Sequence, residues 1–236
     1  MSRGYRAGMD KNPEEVAAMF DGVAKRYDLL NDLLSLGQTK RWRKKVTRII
    51  DPREGMEILD MAAGPGASSE PLAKAGATVT SADFSEGMLA AGRKQRPYLN
   101  FQSADALSLP FGDNSFDLYT ISFGLRNTHN TEKALKEALR VIRPGGRLVV
   151  VEFSAPTFRP FRTIYTNYLM SALPWIARKL SSNPDAYIYL AESIKAWPNQ
   201  AALATIIESS GWSDCTVTNL TGGIVAIHTA SKKPTI

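Results

Sequence analysis

The residues best placed to do chemistry lie in Ile58-Leu-Asp-Met-Ala-Ala-Gly-Pro-Gly66 and at Asp83. Ile58, Leu59 and Met61, interrupted by Asp60, read as a buried strand that stops on a glycine turn. Gly64 and Gly66 let the backbone turn sharply and come close to a ligand. A second strand, residues 77–82, ends on Asp83. A glycine turn after one strand and a carboxylate at the tip of the next suits a nucleoside. The turn faces one end of the ligand, and the carboxylate accepts both ribose hydroxyls. A dinucleotide is less well served, because the third glycine of the usual fingerprint would fall at Ser69.

The chain has 236 residues, 44% of them hydrophobic, which is enough for one sizeable core and a small cap. No run approaches the roughly 18 to 20 apolar residues of a membrane-spanning helix. The first residues, Met1-Ser-Arg-Gly-Tyr-Arg6, lack the apolar centre of a signal peptide. The single cysteine, Cys215, rules out an internal disulfide and fits a reducing cytoplasm. With two histidines and one cysteine, no metal site is expected. The net charge of +6 points toward an anionic partner, and its placement is more informative than its size.

The elements that must hold the turn follow in order. Asn12 and Pro13 open a helix whose Val16, Met19, Phe20 and Val23 fall at helical spacing. Tyr27 to Asp32 continue into a second short helix that ends at Gly37. Residues 39–50 form a third, with Trp42, Val46, Ile49 and Ile50 on one face and six lysines and arginines over the rest. Such a basic amphipathic helix suits an anionic bilayer surface, or a solvated face packed on the core. Strands at 100–104, 116–123 and 147–153 then alternate with helices at 67–75, 86–95 and 131–142. This predicts an α/β, doubly wound, mostly parallel sheet with ligands at the carboxyl ends of the strands. The alternation breaks at 157–180, an aromatic and basic stretch without an acid that reads as a lid or apolar substrate wall, with Pro174 ending or kinking a helix. A helix at 198–211 and a hairpin at 215–229 close the chain. An antiparallel hairpin ending a parallel sheet favours the methyltransferase sheet over the dehydrogenase sheet. The missing third glycine at Ser69 favours S-adenosylmethionine, which needs no pyrophosphate site. The expected organisation is a tail and helical cap over residues 1–50, then one domain over 51–236 with a helical insertion at about 157–195.

Five further stretches carry a resemblance that spans nearly the whole chain: MFDGVAKRYDLLNDLLSLGQTKRWRK (19–44), LPFGDNSFDLYTISFGLRN (109–127), RPGGRLVVVEFS (143–154), YLAESIKAWP (189–198) and NLTGGIVAIH (219–228). With the glycine turn, they resemble the ubiquinone/menaquinone biosynthesis C-methyltransferase family. SSNPDAYIYLAESI is most similar to its actinobacterial demethylmenaquinone branch. The resemblance implies a class I S-adenosylmethionine-dependent methyltransferase fold of seven strands. It implies transfer of a methyl group to a ring carbon of demethylmenaquinol, giving menaquinol. Carried over residue by residue, Asp83 takes the ribose hydroxyls, Asp105 and Ala106 flank the adenine, and Ser122 faces the cofactor. The turn departs from the family pattern, with Pro65 where threonine is usual, so contact there falls to Gly64 and Gly66.

A hydroquinone carbon becomes a strong nucleophile when a neighbouring phenol, pKa about 10, loses its proton. The site therefore needs a base or a cation that stabilises the phenolate. Arg126 is assigned that electrostatic role and Asn127 the orientation of the substrate; the alternative for Arg126 is a salt bridge that braces the loop. His228 is the better base by pKa, Tyr27 and Asp28 close over the substrate from the cap, and His129 is expected at the surface. A lipid substrate implies a cytoplasmic enzyme that visits the inner face of the plasma membrane as a peripheral protein. No nucleic-acid partner is expected, and a homodimer is left open. A benzoquinol or a soluble small molecule would suit the same cofactor turn. A non-catalytic basic module would explain the charge and leave the turn idle.

Overall fold

The strand that precedes the glycine turn, β1 (Glu57–Met61), is buried on both faces, which is why its apolar run does not alternate with polar residues. In the computed structural model, which describes residues 7–21, 37–172 and 185–234, β1 pairs in parallel with β2 (Thr78–Asp83) and with β4 (Phe116–Ser122). Beyond them lie β3 (Asn100–Ser103) and β5 (Ile142–Phe153), also parallel. The last two strands, β6 (Ser213–Leu220) and β7 (Val225–Ser231), form the closing hairpin, and β7 runs antiparallel to both β5 and β6. The order β3-β2-β1-β4-β5-β7-β6 makes the expected seven-stranded, doubly wound, mostly parallel sheet. Its order reverses between β1 and β4, where open α/β sheets hold ligands at the strands' carboxyl ends.

Alternate residues of the central strands feed two cores. Leu59, Tyr119, Leu148 and Val150 face α5 (Thr131–Val141) and α8 (Gln200–Ser209). Ile58, Leu118, Val149 and Val151 face the other layer, with α2 (Gln38–Ile50) and α3 (Ser69–Lys74). Helix α2 buries Trp42, Val46 and Ile50, four residues apart, and exposes most of its cations. The Arg147 guanidinium of β5 donates to the carbonyls of Ile49 and Ile50 and so satisfies the end of that helix.

Helix α1 (Pro13–Asp21) starts where Asn12 Oδ1 accepts from the Glu14 N–H at 3.0 Å. At its other end the Asp21 carboxylate accepts from the Ser85 hydroxyl and from the Gly87 N–H, at the start of α4 (Glu86–Gln95). The insertion after β5 contains α6 (Arg159–Asn167), which runs into a π-helical turn at Tyr168–Ala172, and α7 (Asp185–Ala196). The second cap helix, with Tyr27 and Asp28, and the Pro174 kink lie outside the described residues.

The largest boundary difference from expectation is in β5. Strand β5 begins at Ile142 rather than at residue 147, because Ile142 pairs with Phe116 before a bulge resets the register to Leu118–Arg147. No helix among the described residues is long and apolar enough to cross a membrane.

Candidate active site

A cavity of about 770 Å³ lies at the carboxyl ends of the strands and reaches from the β1–α3 turn to the insertion. Gly64, Pro65, Asp83, Asp105, Ala106 and Ser122 all line it. Gly64 has φ +55°, and a Cβ there would meet nothing within 4 Å, so the turn leaves a cradle that a side chain would fill. Its N–H donates to Asp83 Oδ2 at 2.8 Å, and the Ser85 N–H donates to Oδ1 at 2.9 Å. These bonds fix the carboxylate, and each oxygen keeps acceptor capacity for a ribose hydroxyl. Burial raises the pKa of Asp83, and the two N–H groups pull it back. Asp105 is fixed in the same way, with Oδ1 accepting from the Leu107 N–H at 2.9 Å. The residues present fit a nucleoside held by its ribose at β2.

Gly66 is placed differently from expectation. It does not line the cavity, and its N–H donates to the Ala63 carbonyl at 2.9 Å. With φ +87°, a Cβ there would come 2.8 Å from Phe101 and 2.9 Å from Leu99. This glycine lets β3 and its loop pack against the turn. Two residues that the sequence did not single out belong to the turn's surroundings. Ala62 adopts φ +55°, and its methyl fits only because Gly124 opposite has no side chain. Thr120 also lines the cavity, and its buried hydroxyl has no partner among the described residues.

At the other end, Arg126 and Asn127 share a single 3-10 turn after β4, Leu125–Asn127, and both line the cavity. Arg126 is only 4% exposed. Its Nη1 donates to Glu152 Oε1 at 2.9 Å and to the Phe123 carbonyl, and its backbone N–H reaches Glu152 Oε2 at 3.2 Å. Its Nε is buried without a hydrogen-bond partner among the described residues. The guanidinium carbon sits 5.2 Å from the centre of the Phe153 ring. Asn127 Oδ1 accepts from the Tyr189 hydroxyl at 3.2 Å. Tyr189, Tyr165 and Tyr168 also line this end, and burial raises the pKa of all three phenols. Glu152 went unassigned in the sequence, although its signal was there: one acid in the apolar run of a central strand requires a cation beside it.

The structure does not bring His228 to this group. It lies on β7, 1% exposed, with Nε2 2.9 Å from the Gln200 carbonyl, and it does not line the cavity. Burial lowers its pKa, and its place outside the cavity, not that shift, keeps it from acting as a base beside Arg126. His129 is exposed at the cavity rim.

The site's neighbours in other proteins are of two kinds. Solved structures share the fold at low identity. The [4+2]-cyclase SpnF matches with a TM-score of 0.68 at 18% identity, over 100% of both chains. A SAM-dependent methyltransferase from Aquifex aeolicus matches with a TM-score of 0.57 at 19% identity, over 80% of this chain and 88% of that one. Sequence relatives are far closer. The demethylmenaquinone methyltransferase of Renibacterium salmoninarum is 59% identical over 97% of this chain and 96% of its own length. Proteins of the same name from Streptomyces griseus and Mycolicibacterium paratuberculosis are each 56% identical, over 96% and 97% of this chain and 99% of their own lengths. With residues 8–232 matching its pattern as well, the chain belongs to the ubiE/COQ5 methyltransferase family.

Proposed function

We propose that this protein transfers a methyl group from S-adenosylmethionine to a ring carbon of demethylmenaquinol, giving menaquinol. The observation that carries the reading is the cavity itself. One end is a nucleoside cradle at Gly64 and Asp83, and the other is a buried guanidinium among aromatic side chains. The names of the full-length relatives support the same acceptor.

Bound at Gly64, Asp83 and Asp105, S-adenosylmethionine would supply an electrophilic methyl on a sulfonium. Asp83 and Asp105 hold the nucleoside end. Arg126 offers a cation at the cavity wall to a phenolate oxygen, which lowers the cost of forming the nucleophile. With a pKa above 12 it acts as a charge and not as a base. Glu152 holds Arg126 in place through two contacts, one to the guanidinium and one to the backbone N–H. Tyr189 fixes Asn127, whose side chain lies beside the same carbonyl that Arg126 uses. The apolar wall of the insertion excludes water from the reacting groups.

An isoprenoid tail resists crossing water, so the protein collects its substrate as a peripheral visitor to the inner face of the plasma membrane. The direct test is incubation with methyl-labelled S-adenosylmethionine and demethylmenaquinol under reducing conditions. Labelled menaquinol is the expected product, and its absence would overturn the reading.

A further inference from the structure

Phe123 holds a backbone conformation that bulky side chains rarely adopt, with φ +58°. The adjacent Gly124, the residue best suited to such an angle, has φ −110° instead. That glycine is needed elsewhere, since a Cβ there would collide with Ala62. The strained position is therefore given to a phenylalanine and is held from both sides. Its N–H donates to the Val151 carbonyl at 2.8 Å, and its carbonyl accepts from Arg126. Strain of this kind persists where the surroundings impose it, and it gathers at functional sites.

The ring so presented does not join the sealed core. Phe123 and Phe153 are both half-buried and line the cavity, whereas Tyr119 and Trp212 are 1% and 3% exposed. The Phe123 and Phe153 centroids are 4.9 Å apart at 47°, and Trp42 stands 6.1 Å from Phe123. Arg126 lies over Phe153 with its Nε–H unpartnered. Two half-open aromatic faces beside a buried, unsatisfied donor are complementary to a flat aromatic ligand that carries an oxygen. The ring packs by offset or tilted stacking, and the oxygen lies in the field of the guanidinium.

We infer that Phe123 and Phe153 form the seat for the acceptor's fused aromatic ring and set the enzyme's preference for a flat ring, with Arg126 at the seat's polar edge. This assignment rests on the quinol reading above and adds which side chains recognise the ring.

The test uses the protein loaded with S-adenosylhomocysteine and titrated with menadione, the bare naphthoquinone, by quenching of tryptophan fluorescence. Trp42 beside the seat makes saturable quenching the expected wild-type result. Phe153→Leu conserves apolar bulk. Phe123→Gly removes a ring at a backbone angle that glycine adopts freely, so the two variants fail to fold for different reasons, if at all. Each should weaken menadione binding about 10-fold and raise KM for demethylmenaquinol to match. S-adenosylhomocysteine affinity by calorimetry should stay within about 2-fold. Unchanged menadione binding and KM in folded variants would overturn the seat, as would a wild type that shows no saturable quenching. Wild-type protein that binds menadione in this way yet methylates no demethylmenaquinol would leave the seat standing and overturn the reaction.

Discussion

Arg126 shows why a charge is kept where it costs stability. A buried ion pair rarely stabilises a fold more than apolar residues of the same volume, because desolvation of both groups offsets their attraction. The Arg126–Glu152 pair is 5% and 1% exposed at its side chains, so stability alone is a poor reason for it. Lysine at this position would keep the charge but lose the planar guanidinium that lies over the Phe153 ring. Arg126→Lys should lower kcat/KM for the quinol by about 10² while leaving S-adenosylhomocysteine affinity unchanged. Steady-state kinetics beside calorimetry checks this, and an equal loss in both would make Arg126 a structural brace only. Asp60 behaves in the opposite sense. It is fully buried behind the turn, its Oδ2 accepts from Ser68 and Ser69, and burial raises its pKa from 3.8 to about 6. The folded state therefore holds the proton more tightly than the unfolded chain. The stability this brings is fully present below pH 3.8 and is lost as the pH rises through about 6. At pH 7.5 the ionised group costs up to about 3 kcal/mol. Asp60→Asn should thus gain stability relative to wild type on going from about pH 4 to about pH 7.5, read from urea melts. A pH-independent difference would show that Asp60 titrates normally. The sequence led to Arg126 and Asn127 through their motif. It pointed to His228 only through its intrinsic pKa, which says nothing about where a strand turns its side chains.

At the scale of elements, the cofactor side and the cap are joined by one short latch. Asp21, the last residue of α1, accepts from Ser85 and Gly87. Ser85 in turn caps α4, accepting from the Met88 N–H, and donates its own N–H to Asp83. The cap and the Asp83 carboxylate therefore share a residue. Asp21→Ala should destabilise the fold by about 1 kcal/mol, as loss of a capping carboxylate does. It should also speed amide exchange across residues 13–21 and weaken S-adenosylhomocysteine binding several-fold. Exchange that speeds up without any loss of affinity would show that the latch holds the cap alone. The elements themselves were largely legible. Strands buried on both faces announce themselves as apolar runs, and α1, α4, α5 and α8 begin at Asn12, Ser85, Asn130 and Asn199, whose side-chain oxygens accept from the first turn. The early start of β5 was not legible, because it depends on the partner residue Phe116 rather than on local sequence. The role of Gly66 was hidden for the same reason. A glycine needed for φ and one needed for close packing look alike until the neighbour, here Phe101, is known.

At the scale of the whole molecule, the net charge of +6 gains meaning from where it sits. Trp42 of α2 donates to Thr221 at 2.8 Å, and Phe161 of α6 lies against Gly222, so these two helices meet at one turn beside the cavity. Neither helix contains an acid. Helix α2 exposes Arg41, Lys44, Lys45 and Arg48, and α6 exposes Arg159 and Arg162. Around α6, Phe158 and Ile164 are each 66% exposed, although large apolar side chains are usually covered. Tyr165 of the same helix lines the cavity, so one helix borders both the solvent face and the cavity. An anionic bilayer is the partner this face is predicted to meet: cations near its surface would gain about 1 kcal/mol each, and the exposed apolar side chains would insert at the headgroup boundary. The protein should float with phosphatidylglycerol-containing vesicles, less with pure phosphatidylcholine, and less again as salt shortens the screening length. Phe158→Ser combined with Arg159→Ser isolates the contact. Phe158 is the N-cap of α6, where serine is the better residue, so the helix should not unravel. This double variant should lose flotation and retain methylation of a short-tailed quinol in detergent. Equal flotation of wild type and variant, or equal binding to both kinds of vesicle, would remove α6 from the membrane face.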